Sequence, residues 1–305
     1  MLKEKKILLL GAGAVGVYFL GRLSQCGIDC VFIGRSEYDY VKQHGYQVKS
    51  IAGDFAFQPE IIKESVELNG PADYIFITTK VLPDIDYRQL LAPAVGVNSV
   101  LVLIQNGIYI EEALSDAFPD NRIISAIAYI GVARTAPGHY SHTGGGELAF
   151  GDYPSGDSAE LNEIVEAFSQ AGVKVAKSSD IIKSRWSKLC WNASYNCVSV
   201  LGGHADTSMI MAQHESVELI EAIMREVEAL SIADDHAIDS DTVERNIEYT
   251  RDFPPYKPSM LLDYEAGRRL ELEAIVGNAL KKAAEYDVKV PNLKAVYALL
   301  KLVSR

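Results

Sequence analysis

Lys6-Ile7-Leu8-Leu9-Leu10-Gly11-Ala12-Gly13-Ala14-Val15-Gly16 decides how the first half of this chain is read. The aliphatic run Lys6–Leu10 reads as a buried strand, and Ala14–Gln25 has the pattern of a helix. Between a strand and a helix, each glycine has a task. The first permits the tight turn, the second lets a pyrophosphate approach the backbone, and the third lets the helix pack on the strand. The helix N-terminus then offers free N–H groups and a positive dipole end to phosphates. Gly11, Ala12, Gly13, Ala14, Val15 and Gly16 are therefore expected to bind a dinucleotide.

A second strand is expected at Asp29–Ile33, and its end selects the cofactor. An acid there would accept from a ribose 2′-hydroxyl. The position holds Gly34, followed by Arg35, whose fork can pair with a 2′-phosphate or stack on adenine. NADP(H) is the expected cofactor. Glu37 stands close by and reads as a helix first-turn acid. Two more strands, Tyr74–Thr78 and Ser99–Ile104, end near Lys80 and at Asn106-Gly107. Ligands of open α/β sheets sit at such strand ends. Lys80 is a candidate for a cofactor phosphate or ribose, and Asn106 for the nicotinamide ribose and a substrate oxygen.

Strands continue to alternate with helices, at Tyr38–His44, Leu82–Leu91, Ile110–Ala117 and strand Ile123–Ala128. That alternation implies a doubly wound parallel α/β sheet of Rossmann type. Tyr129–Tyr153 holds six glycines and alternates apolar with polar residues, as antiparallel edge strands would. Ala159–Ala171 reads as a helix and Val173–Ala176 as a last strand. Beyond Ser178 the texture is helical, with candidates at Asp180–Leu201, Thr207–Ile232, Thr242–Arg251, Tyr264–Tyr286 and Leu293–Val303. The organisation expected is a Rossmann-type domain over 1–179 and an all-α domain over 180–305.

The helix Asp180–Leu201 is mostly apolar, yet Lys188, Asn192 and Asn196 recur at i, i+4 and i+8. They form one stripe flanked by apolar side chains. Buried amides and a buried lysine must find partners, which a ligand-lined site would supply. Desolvation would lower the lysine pKa toward a value useful for proton transfer. Ser259-Met260 precedes a long helical stretch in which Glu271 lies deep; on spacing alone Glu271 reads as one solvated acid among several.

Composition narrows the remaining classes. The 305 residues suit two domains, and 48% hydrophobic with 23% charged residues is ordinary for a globular protein. The charge, 29 − 41 = −12, makes nucleic acid and an anionic membrane poor partners. No apolar run reaches the length of a membrane span, and the basic, apolar start lacks a cleavage site, so a cytoplasmic location is expected. Cys26, Cys30, Cys190 and Cys197 fit neither a disulfide framework nor a zinc pattern and read as reduced thiols. His139-x-x-His142 lies in strand texture, where i and i+3 point to opposite faces, so no metal site is expected. Asp234-Asp235-His236 with Asp239 and Asp241 lacks the glycine and terminal acid of a calcium loop and reads as capping and solvation. No G-x-S-x-G is present, which weighs against a hydrolase. A homodimer through an apolar face of the helical half is compatible with the sequence.

The quoted residues together resemble one family. Gly11–Gly16, Gly34-Arg35, Thr79-Lys80, Gln105-Asn106-Gly107, Pro137-Gly138 with Gly151, Trp186-Ser187-Lys188-Leu189 with Asn192 and Asn196, Ser259-Met260 with Asp263, and Glu271 with Gly277 and Pro291 are similar to 2-dehydropantoate 2-reductases, the ketopantoate reductases of pantothenate biosynthesis. The resemblance implies NADPH on the Rossmann domain and a 2-oxo acid as the small-molecule substrate. It implies that Lys188 is the general acid that protonates the ketone oxygen. It assigns Asn192, Asn196 and Ser259 to the oxo acid, Asn106 to cofactor and substrate, and Glu271 to the catalytic set as acceptor from a terminal hydroxyl. Asn196 is followed by Cys197-Val198-Ser199-Val200-Leu201, where the family commonly has Asn-Pro or Asn-Ala with Leu-Thr-Ala. Reaction type therefore follows more directly than substrate. Opine-type and other 2-oxo acid reductases share the glycine-rich start and the helical half. A non-catalytic NADP(H) sensor would need the turn but not the stripe.

Overall fold

Strand β1 (Ile7–Leu10) is buried at every position, as its unbroken aliphatic run requires. Around it the chain lays down β2 (Cys30–Ile33), β3 (Tyr46–Ser50), β4 (Phe55–Phe57), β5 (Glu60–Ile62), β6 (Ala72–Ile77), β7 (Val95–Ile104), β8 (Arg122–Ala136), β9 (His139–Tyr153) and β10 (Lys174–Lys177). This computed structural model describes residues 2–304. One mixed sheet results, in the order β4-β3-β9-β8-β7-β6-β1-β2-β5, with β10 also on β9. The run β5-β2-β1-β6-β7-β8 is parallel throughout. With β3 and β4 set aside, it follows the 3-2-1-4-5-6 order of the Rossmann fold, and the order reverses between β1 and β6.

The expected edge hairpin is not at an edge. β8 and β9 pair antiparallel over their length, but β8 also pairs with β7. The far side of β9 is covered by β3 along His139–His142 and by β10 along Glu147–Phe150. β3 is too short to stand out as a sequence pattern, and the short strand expected at Val173–Ala176, observed as β10, shows no partner in sequence, so the long hairpin looked like an unpartnered margin.

The chain divides into two compact units. The first comprises the residues through Lys80, Asp84–Asn106 and Ile110–Ile181. The second comprises Val81–Pro83, Gly107–Tyr109 and the described residues from Ile182 onward. Within the largely aliphatic core of the first lies an aromatic cluster: Phe19, Phe76 and Phe150 surround the ring of Phe168 at 5.4–6.4 Å. In the second, helix His214–Ala233 buries Ile220, Ile223, Met224, Val227 and Leu230 along one stripe.

Two expected long helices are interrupted. Thr207–Ile232 is two helices, Thr207–Met211 and His214–Ala233. Tyr264–Tyr286 is broken after Ser259–Glu265, where Gly267 takes φ 64° and Arg268 N–H donates to Asp263 O at 2.8 Å. That is a glycine stop, and it lifts Glu271 out of the helix interior to a position just before the next helix.

Candidate active site

The glycine turn divides its labour as its spacing requires. Gly11 has φ 97°, and a Cβ there would lie 2.5 Å from Thr79 N. At Gly16 a Cβ would lie 2.4 Å from Thr78 Oγ1. Both glycines let the turn close onto the end of β6, where Thr78 Oγ1 donates to Gly11 O at 2.5 Å. Gly13 differs: a Cβ there would meet nothing nearer than Gly11 O at 4.0 Å. Gly13 is also the N-cap of helix Ala14–Gln25, and no side chain caps it. Open space over an uncapped helix start suits a pyrophosphate, so these residues fit a dinucleotide.

At the end of β2, Arg35 is exposed. Glu37 stands at a helix start, as the reading of a first-turn acid expects, but its carboxylate is turned to other partners. It is the N-cap residue of helix Tyr38–His44 and is only 6% exposed. Its Oε1 accepts from Gly138 N–H at 3.0 Å, and its Oε2 accepts from the Tyr140 hydroxyl at 2.5 Å. Arg134 Nη1 lies 3.5 Å from the same Oε1.

The ends of β6 and β7 are tied together by Gln105, to which sequence reasoning assigned no role of its own. Its Nε2 donates to Thr79 O at 2.6 Å and to the Tyr87 hydroxyl at 3.2 Å. The half-buried residues Lys80 and Asn106 directly follow Thr79 and Gln105.

In the second unit, Lys188 lies in the last turn of an α-helical stretch, Ile181–Trp191, that passes into a π-turn over Asn192–Asn196. In an α-helix four residues overshoot a turn by about 40°. A π-turn is wider, so four residues fall short of one. The step from Asn192 to Asn196 thus turns back toward the line of Lys188, and the stripe survives a break in helix type. Lys188 is half-buried, with its Nζ 5.8 Å from the centre of the Trp191 ring. Burial pulls its ammonium from the usual lysine range down to about 8. Asn192 is 5% exposed and Asn196 fully buried. Asn196 Oδ1 accepts from Met260 N–H at 3.4 Å, which sets Asn196 against the exposed Ser259. Among the described residues, Asn196 Nδ2 has no hydrogen-bond partner. A buried amide left so is costly unless a ligand answers it.

Glu271 Oε1 accepts from Val81 N–H at 2.9 Å, so this carboxylate holds the segment that follows Lys80. A second π-turn, Glu273–Gly277, holds the segment that follows Asn106. Ile108 N–H donates to Ala274 O at 3.1 Å, and Gly107, at φ 114°, would bring a Cβ within 2.7 Å of that oxygen. Arg185 Nη1 donates to Gly107 O at 3.1 Å and Asn278 Nδ2 to Ile108 O at 2.9 Å.

Asp234 is the C-cap residue of helix His214–Ala233, as capping requires, but it is not the solvated acid expected. It is 8% exposed and accepts from Trp186 Nε1 at 2.7 Å, from the Tyr286 hydroxyl at 2.5 Å and from the Tyr109 hydroxyl. Its donors come from distant points in the chain, so no local pattern marks it. His142 is a structural hub: its Nδ1 meets Ser50 Oγ at 2.8 Å and its Nε2 meets Gly144 O at 3.1 Å. The four cysteines are free. No helix among the described residues is long and apolar enough to cross a membrane.

An open dinucleotide turn in one unit, and a desolvated lysine with buried amides in the other, place the chain among the oxidoreductases that work with a pyridine nucleotide. Residues 7–155 match the family described as "Ketopantoate reductase PanE/ApbA", and residues 180–304 match its C-terminal part. A 2-dehydropantoate 2-reductase of Nostoc sp. is 31% identical, over 99% of this chain and 96% of that protein. The crystal structure of 2-dehydropantoate 2-reductase from Methylococcus capsulatus is similar with a TM-score of 0.91 at 40% identity, covering 98% of this chain and 96% of that one. A D-mandelate dehydrogenase solved with NADH and anilino(oxo)acetate shares the fold, with a TM-score of 0.88 at 22% identity over 98% of this chain and 97% of its own. The chain belongs to the ketopantoate reductase family.

Proposed function

We propose that the chain reduces 2-dehydropantoate to pantoate with NADPH. The observation that carries this is Lys188, an ammonium whose pKa burial lowers to about 8. A donor poised there can give up its proton near neutral pH, which an ordinary lysine does poorly. Held at Gly11–Gly16, the reduced nicotinamide cofactor would supply the hydride. Lys188 Nζ passes a proton to the carbonyl oxygen, stabilises the negative charge that develops there, and recovers its proton from water. Asn196 Nδ2, orphaned and buried, donates to the oxo acid, with Asn192 and Ser259 beside it in the binding set. Glu271 accepts from the substrate's terminal hydroxyl.

The cofactor is assigned to the first unit and the proton transfer to the second. Gly11–Gly16 would hold the pyrophosphate, Lys80 a phosphate or ribose, and Asn106 the nicotinamide ribose. Arg35 would pair with the 2′-phosphate. Supporting NADPH is the state of Glu37, both of whose oxygens accept from donors within its own unit and so are poorly placed to receive a ribose 2′-hydroxyl.

A second substrate in the same class is favoured by Trp191. Its ring lies beside Lys188 and stacks on Tyr195 with centroids 5.1 Å apart, a wall suited to an aryl-substituted 2-oxo acid. The test is NADPH and NADH oxidation with 2-dehydropantoate, pyruvate, 2-oxoisovalerate and benzoylformate. The expected outcome is the highest kcat/KM for 2-dehydropantoate with NADPH. Benzoylformate turnover without 2-dehydropantoate turnover would move the substrate to the aryl class. NADPH binding with no turnover of any oxo acid would remove the enzymatic assignment.

A further inference from the structure

Arg35 and Glu37 leave β2 in one turn, closed by Tyr38 N–H on Arg35 O at 3.5 Å. Their charges oppose each other where a 2′-phosphate would bind. Arg35 is exposed, and among the described residues no hydrogen bond or ion pair holds its guanidinium. Glu37 is buried, and its carboxylate, left alone, would repel a phosphate bound two residues away. The β8–β9 hairpin answers that charge. Arg134 and Tyr140 are register partners in it, and both reach Glu37. Tyr140 donates a neutral hydroxyl, which satisfies an oxygen but leaves the charge. Of these two partners Arg134 brings the compensating cation, and its side chain is 49% exposed, so it serves no core. The same hairpin approaches the glycine turn, with the Tyr140 hydroxyl 3.4 Å from Ala12 O.

We propose that Arg134 is a specificity-determining residue for the cofactor: its guanidinium cancels the Glu37 charge beside Arg35 and so admits a 2′-phosphorylated adenosine. This rests on the assignment of NADPH above. Arg134 need not touch the phosphate; its effect passes through Glu37. The effect is electrostatic, so it discriminates between nucleotides with and without the 2′-phosphate. A merely structural role would weaken both alike.

The experiment is calorimetric binding of adenosine 2′,5′-bisphosphate and of 5′-AMP to the intact chain. The variants are Arg134→Met, Arg134→Lys and the double variant Arg134→Met with Glu37→Gln, each checked for an unchanged melting temperature. Wild type is expected to prefer the bisphosphate. Arg134→Met should weaken the bisphosphate by roughly fivefold or more and leave AMP within about twofold. Arg134→Lys should retain the preference, and the double variant should recover it where it melts as wild type does. Equal weakening of both ligands, or no change in either, overturns the role of Arg134 while the wild-type preference stands. A wild type that does not distinguish the two ligands overturns the NADPH assignment itself, and the role of Arg134 with it.

Discussion

Lys188 fixes the pH dependence that the reaction should show. Its ammonium titrates at about 8 because burial strips it of water. Only the protonated form can act as the acid in ketone reduction. The rate of reduction should therefore hold below about pH 8 and fall toward tenfold per unit above it, while oxidation of the hydroxy acid, which needs the neutral amine, should rise through the same range. Lys188→Ala should lower kcat by at least about 10²-fold and abolish that limb. A limb at the same pH in the variant would assign it to another group. At this scale the stripe Lys188, Asn192 and Asn196 could be read from spacing and apolar flanks. Glu271 could not, since it is one of several acids in a charged stretch and its spacing marks none of them; resemblance alone singled it out. Glu37 was placed at a helix start, but its partners Gly138 and Tyr140 could not be read, because they lie a hundred residues away in the chain.

Among the elements, the glycine turn was the most legible, since three glycines at fixed spacing leave few alternatives. The structure separates their duties, and substitution should separate them again. Gly11→Ala forces a side chain into positive φ and onto Thr79 N at 2.5 Å, so it should cost about 2 kcal/mol or more of stability. Gly13→Ala meets open space at φ −91° and should cost at most about 1 kcal/mol, yet weaken NADPH roughly tenfold by occupying the approach to the helix start. Denaturant unfolding and a binding titration on the two variants measure both effects. Comparable stability losses would show that Gly13 is structural after all. The π-turns were not legible. Asn192–Asn196 and Glu273–Gly277 look like ordinary helix in sequence, because a π-turn keeps helical side-chain chemistry and changes only backbone register. The turn at Glu273–Gly277 coincides with Ala274 O accepting Ile108 N–H, a bond to a residue far away in the chain.

For the whole molecule, the fold class followed from two textures, alternating strand and helix first and helix alone afterwards. Strand order did not, because β3, β4 and β5 are three to five residues long and become strands only by pairing, and β10, though expected as a strand, did not reveal its partner β9. The exchange of Val81–Pro83 and Gly107–Tyr109 into the second unit was equally hidden, since a loop's allegiance depends on tertiary partners such as Glu271 and Arg185. The division into units has a functional consequence. The glycine turn belongs to the first unit and Lys188 to the second, and the proposed chemistry uses them at different steps. Lys188→Ala should bind NADPH with wild-type affinity while losing turnover. Gly13→Ala should lose affinity but approach wild-type kcat once NADPH saturates it. In the double variant the two losses should add in logarithm to within about twofold, as independent sites do. Fluorescence titration of NADPH with steady-state kinetics on the three variants tests this. If Lys188→Ala weakened NADPH as much as Gly13→Ala, the lysine would be part of the cofactor site, and proton transfer would have to be assigned to another group.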